Sequence, residues 1–235
     1  MSFDWQAYWG GRTAVADGTD DLLIQVGKTQ FGVPVGSEQV ELLVEHVGAS
    51  LAVDPTAGAL DLGCGNGLVT ALLAPRLARV VGLDYSDAML ATARTANGAP
   101  NVTYQQADLR NIGGVNLAAG PYQLAWSIEV VQNLDPESLA KLLSWLSDVM
   151  VPGFRFLASG IPDAERIRNF YNTPERWQVH LDNEAAGREA MGRWWSRAEI
   201  TEAADRAGVT AEFRALPGDY YTSHYRFDVL FQGAR

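Results

Sequence analysis

The stretch Ala59-Leu60-Asp61-Leu62-Gly63-Cys64-Gly65-Asn66-Gly67 decides how the chain is read. A short apolar run ends in an acid and gives way to glycines at alternate positions. Such a run is the mark of a strand buried on both faces of a parallel sheet. The glycines then turn the chain: lacking a Cβ, they reach left-handed backbone and let a small molecule approach the peptide groups. Leu68, Leu72 and Leu73 recur at helical spacing, and Pro75 must kink or end that helix, which is predicted from Gly65 to about Arg76. The unit is strand, loop, helix, with the strand at 59–62.

Working outward, the same rhythm repeats. Before the loop, Ser37 is a predicted N-cap, and Val40, Leu43, Val44, Val47 and Leu51 fall on one helical face. After it come predicted strands at 79–84, 101–107, 122–127, 154–158, 209–216 and 225–231. Ser86 caps a helix to about Ala96, Asp135-Pro136 opens another, and Ser196 with Glu199 forms a capping box for a helix that ends at Gly208. Short apolar strands alternating with helices predict an α/β fold: a doubly wound, seven-stranded, mostly parallel Rossmann-like sheet with an antiparallel last strand. The whole chain, 1–235, reads as one domain. Residues 1–36 form an aromatic, glycine-rich N-terminal lid and 37–159 the core. Residues 160–195 form a polar, aromatic insertion on the rim beyond strand 5, part of a helical and aromatic cap, and 196–235 the last helix and strand pair.

Bulk composition fits a small-molecule protein. Of 235 residues, 47% are apolar and 20% charged, enough for a full core and too little charge for disorder. The net charge of -10, with no basic block, disfavours nucleic acid and anionic membranes as partners. No apolar run approaches the ~20 residues of a membrane span. The first residues lack the pattern of a signal peptide, so a cytoplasmic location is expected. Cys64 is the single cysteine, which leaves no internal disulfide and no cysteine-rich metal site.

Three acids stand at equivalent places: Asp61, Asp84 and Asp108, at or just past the ends of the first three strands and about one βα unit apart. In a parallel sheet they share one rim. Carboxylates only accept hydrogen bonds, so the rim suits a ligand with donors at three points: an ammonium, a vicinal diol and an exocyclic amine.

At these residues the sequence resembles the class I S-adenosylmethionine-dependent methyltransferases. Leu60 to Gly67 fits the first motif, Val81 to Ser86 the second, and Gln106 to Leu109 the third, over roughly residues 37–160. The resemblance implies S-adenosylmethionine as cofactor and S-adenosylhomocysteine as its product. Asp61, Gly63, Cys64, Gly65 and Gly67 would receive the methionine part. Asp84 would accept both ribose hydroxyls, Asp108 the adenine amine beside Leu109, and Tyr85 and Met89 would flank the adenine. The rim from Trp126 to Glu129, with Ser127, would line the other side. A dinucleotide oxidoreductase also places an acid after strand 2, but its Gly-x-Gly-x-x-Gly requires a glycine at Leu68 or Thr70.

The implied reaction is methyl transfer to a hydroxyl or amine of a small metabolite, with a sugar or secondary metabolite suited to the aromatic residues. A noncatalytic cofactor-binding protein would carry the same motifs. A hydroxyl acceptor calls for a general base, and the candidates are His180, His224 and Glu129; His46, on the helix before strand 1, reads as structural. Cys64 has no base partner and reads as a small packing residue. No metal cluster is expected, nor any partner beyond the small-molecule acceptor and, in a homodimer, a second copy.

Overall fold

The structure is a computed structural model that describes residues 8–9, 19–117 and 120–234. Apart from Tyr8 and Trp9, the lid expected before residue 19 lies outside the described residues. Seven strands form one sheet: β1 Gly58–Leu62, β2 Arg79–Asp84, β3 Val102–Gln106, β4 Leu124–Ile128, β5 Arg155–Pro162, β6 Thr210–Arg214 and β7 Arg226–Gln232. Their order is β3-β2-β1-β4-β5-β7-β6. The first five are parallel; β7 slots between β5 and β6 and runs antiparallel to both. This is the predicted doubly wound sheet with its antiparallel last strand.

The five longest helices after residue 36, with the one that follows the glycine loop, cover the sheet and its rim: α1 Ser37–Leu51, α2 Leu68–Leu73, α3 Asp87–Ala96, α4 Pro136–Val149, α5 Pro174–Ala185 and α6 Arg197–Ala207. Successive strand residues point to opposite faces. Leu60, Leu62, Val81 and Leu83 therefore join α4 and α6 in one core, while Ala59, Val80, Leu124 and Trp126 join α1 and α2 in the other. β1 is buried along its whole length, as its unbroken apolar run predicts.

Among the boundaries that differ from expectation are the following three. Gly36, not Ser37, holds the extended N-cap position of α1, and Ser37 is the first helical residue, with no side-chain cap. The helix after the glycine loop begins only at Leu68 and ends at Leu73; a tight turn at Ala74–Arg76 holds Pro75, whose missing N–H stops the α-helix. β5 runs on to Pro162, because β7 keeps pairing with it at Ile161 and Pro162. The segment expected as an insertion from residue 160 thus starts as sheet, then forms a short helix at Ile167–Phe170 and α5. Toward the N-terminus, a helix Thr19–Gln25 and a small hairpin, Thr29–Gln30 with Val33–Pro34, precede α1. Among the described residues no helix is long and apolar enough to cross a membrane.

Candidate active site

The carboxyl ends of β1, β2 and β4 open into a cavity of about 580 Å³. Its floor is the glycine loop. Gly63 N–H and Cys64 N–H both donate to the Leu83 carbonyl, at 2.7 and 2.9 Å, and staple the loop to β2. Gly63 has φ +78°, and a Cβ there would stand 2.5 Å from Val130 Cγ2. Only glycine satisfies both conditions. Gly67 serves packing instead: a Cβ would meet the Tyr104 hydroxyl at 2.3 Å, and the residue does not line the cavity.

Asp84, at the end of β2, is buried and faces this cavity. Its two oxygens accept Gly65 N–H (2.8 Å) and Ser86 N–H (2.9 Å). Burial pushes its carboxyl above the usual range against those hydrogen bonds. A carboxylate with spare lone pairs and an unfilled desolvation cost fits a diol that donates twice. Asp61 also lines the cavity. It takes the Thr70 hydroxyl at 2.6 Å, and burial pushes it up to about 7. Ser86 caps α3 by accepting Met89 N–H, which sets Met89 and Tyr85 along the wall. Asp108 and Leu109 continue that wall. Asp108 is partly exposed and gripped by Arg110, whose Nε lies 2.9 Å from Oδ1 and whose Nη2 lies 2.7 Å from Oδ2; this pair holds its carboxyl below the usual range. Cys64 lines the cavity too, and burial pushes its thiol well up, so it stays a neutral packing group.

The opposite end is built by chain segments far apart in sequence. Glu129 follows β4 with φ +56°. Lys28 Nζ reaches it at 2.5 Å and Arg226 Nη2 at 3.7 Å. Burial raises the Glu129 carboxyl, but the two cations outweigh it and hold it ionised below the usual range. Arg226 Nη1 donates to the Gly160 carbonyl and to Gln132 Oε1. His224 lines the cavity near its mouth, edge-on to Tyr225 at 4.8 Å, and its carbonyl accepts Asn169 Nδ2 at 2.7 Å.

Three candidates fall elsewhere. His180, on α5, is buried outside the cavity lining: it stacks on Tyr171 at 4.5 Å, and its Nδ1 lies 2.6 Å from Glu189 Oε2. Ser127 is buried within β4 and does not reach the cavity, and Gly67 packs on Tyr104. His46 pairs with buried Asp228 at 2.5 Å, in keeping with a structural role. Lys28, Gln132, Thr222 and Arg226 were not singled out from sequence, yet all line the cavity. The signal for Arg226 is a charge in the strand Tyr225–Phe231, inside the sheet, where Asp228 is the other charged residue.

A sheet of this order, with a glycine loop after β1 and an acid closing β2, defines the class I methyltransferase fold. Residues 59–153 match the methyltransferase domain family. Trans-aconitate 2-methyltransferase of Azoarcus sp. (strain BH72) is 39% identical over 138 residues, 57% of this chain and 51% of that protein. The Deinococcus radiodurans protein of the same name is 41% identical over 92 residues, 37% of this chain and 33% of that one. The chain therefore spans about half the length of these curated relatives, or less. In fold, it superposes on a chain from the complex between the Haloferax volcanii Trm112 methyltransferase activator and a methyltransferase, with TM-score 0.67, 19% identity and coverage of 97% and 98%. Magnesium protoporphyrin IX methyltransferase from Synechocystis PCC 6803, solved with bound SAH, gives TM-score 0.59, 18% identity and coverage of 99% and 96%.

Proposed function

We propose that the chain transfers a methyl group from S-adenosylmethionine to a hydroxyl of a small, polar metabolite. The observation that carries this reading is the continuity of the cavity, which runs from the glycine loop and Asp84 to Glu129, His224 and Arg226. Gly63, Gly65 and Asp61 would hold the methionine end, Asp84 the ribose diol, and Tyr85, Met89, Asp108 and Leu109 the adenine. Bound there, the cofactor supplies an electrophilic methyl on a sulfonium.

The chain's own residues then align the acceptor, exclude water and take up a proton. Asn66 Nδ2 clamps the strap from the N-terminal segment by donating to the Leu22 carbonyl at 2.8 Å, and Lys28 ties the strap to Glu129. His224 is the proton acceptor in this reading, since it lines the cavity and His180 does not. Glu129, held ionised by two cations, is a weak base and acts by position. Asn133, Asn169 and Asn172 beside Phe170 and Tyr221 suit a polyhydroxylated acceptor. The relatives named for trans-aconitate support a small-molecule acceptor.

The test supplies methyl-labelled cofactor and a panel of hydroxylated metabolites, amines and trans-aconitate to the full chain. Label in a hydroxylated product supports the reading. Label only in an amine or only in trans-aconitate, which has no hydroxyl, or tight cofactor binding without label in any product, contradicts it.

A further inference from the structure

The acceptor end of the cavity carries a buried charge imbalance. Lys28 and Arg226 share the single carboxylate of Glu129, at 2.5 and 3.7 Å, and all three residues line the cavity. Lys28 is only 6% exposed and Arg226 only 3%, so solvent does little to balance them. The buried acid of β7, Asp228, is engaged elsewhere: Oδ1 accepts Gly160 N–H at 2.8 Å and Oδ2 meets His46 Nε2 at 2.5 Å. Buried cations without full compensation are costly, and an anion removes the cost.

Two unfilled hydrogen-bonding atoms belong to residues of the same lining. Arg226 Nε and Thr222 Oγ1 are buried without a partner, and both residues line the cavity. Farther out, Arg176 lies over the Phe170 ring at 4.8 Å and donates to Asn172 Oδ1 at 3.1 Å, and no carboxylate pairs with it among the described residues. A chain of net charge -10 thus gathers surplus positive charge at one end of its cavity.

We propose that the methyl acceptor carries an oxyanion, a carboxylate or a phosphate, which sits against Arg226 Nε and Thr222 Oγ1 and completes the Lys28–Glu129–Arg226 cluster. Guanidinium donors and a hydroxyl match oxyanion oxygens, and charge-assisted hydrogen bonds are the strong ones. Arg176 at the entrance draws the same charge inward. This inference rests on the proposed methyl transfer and narrows its acceptor. The cofactor's own carboxylate is the rival source of the anion, so the test keeps the cofactor site full.

Citrate and inorganic phosphate are titrated by calorimetry into the full chain saturated with S-adenosylhomocysteine. The expected result is saturable binding of at least one anion, weakened about tenfold or more in Arg226→Lys and in Thr222→Val, with S-adenosylhomocysteine affinity within about threefold of wild type in both. Thr222→Val is nearly isosteric and preserves the ion cluster, which guards against a folding defect in the Arg226 variant. Three results overturn the inference: neither anion binds, both variants bind as wild type does, or the variants lose affinity for S-adenosylhomocysteine instead. If S-adenosylhomocysteine itself fails to bind the wild type, the methyltransferase reading falls and this inference falls with it.

Discussion

Replacing Asp84 with asparagine separates the two tasks of this carboxylate. In the protein one oxygen takes Gly65 N–H at 2.8 Å and the other takes Ser86 N–H at 2.9 Å. Asparagine keeps the shape but has one accepting oxygen, so one of these amides loses its partner, at a cost of about 1–3 kcal/mol in stability. The effect on the cofactor is separate. A hydrogen bond to a charged group is worth about 1.5–3 kcal/mol and a neutral one about 0.5–1.5, so two ribose hydroxyls together lose about 2–3 kcal/mol. That corresponds to roughly 30- to 150-fold weaker binding of S-adenosylhomocysteine, read by calorimetry. The pH dependence follows from the raised pKa of Asp84. The ionised form accepts from the diol and the protonated form competes as a donor, so wild-type affinity falls as pH drops through that raised pKa. In Asp84→Asn this contribution is absent. An Asp84→Asn protein that melts lower yet binds S-adenosylhomocysteine within threefold of wild type refutes the ribose assignment.

Three further outcomes are expected. Asp61 keeps its proton in the fold to about pH 7. Because the unfolded chain releases it near pH ~4, this residue's contribution is complete below that point and declines by up to about 4 kcal/mol as pH rises to 7. Urea titrations of wild type and Asp61→Asn between pH 4 and 8 should therefore diverge by that slope, and parallel curves would contradict it. Glu129→Gln leaves Lys28 and Arg226 buried without their carboxylate and should cost about 3–5 kcal/mol of unfolding free energy; a loss below 1 kcal/mol would mean that the cluster is well solvated. His224→Ala should lower kcat by about 10²–10⁴-fold with cofactor affinity unchanged, whereas His180→Ala should act on stability, through its lost contacts to Glu189 and Tyr171. Equal kcat in His224→Ala and wild type would remove His224 as the base.

What could be read in the sequence was whatever the chain settles locally. Asp61, Gly63, Gly65 and Asp84 belong to one strand–loop–helix and the strand beside it, so spacing alone brought them to one rim, and the cavity meets them there. The acceptor end is different in kind. Lys28, Glu129 and Arg226 are separated by about a hundred residues at each step: the placement of β7 beside β5 brings in Arg226, and Lys28 comes from the segment before α1. Histidine identity alone could not tell His224 from His180, because the side of α5 that is buried is set by Glu189 and Tyr171. Ser127 was assigned to a rim, but it lies in a strand paired on both sides, and its side chain is enclosed. Asp108 was expected to wait for an amine, and in the structure Arg110 already holds it. An adenine amine there has to share Asp108 with Arg110 or displace it.

The most direct test of the account is calorimetry of the full wild-type chain with S-adenosylhomocysteine. The cradle of Gly63, Gly65 and Asp84 predicts saturable binding at one molecule per chain, largely lost when Gly65→Val places a branched side chain toward Val26, whose Cγ1 stands 3.1 Å from the Cβ position. Absence of binding to the wild type, or equal binding by Gly65→Val, would contradict it.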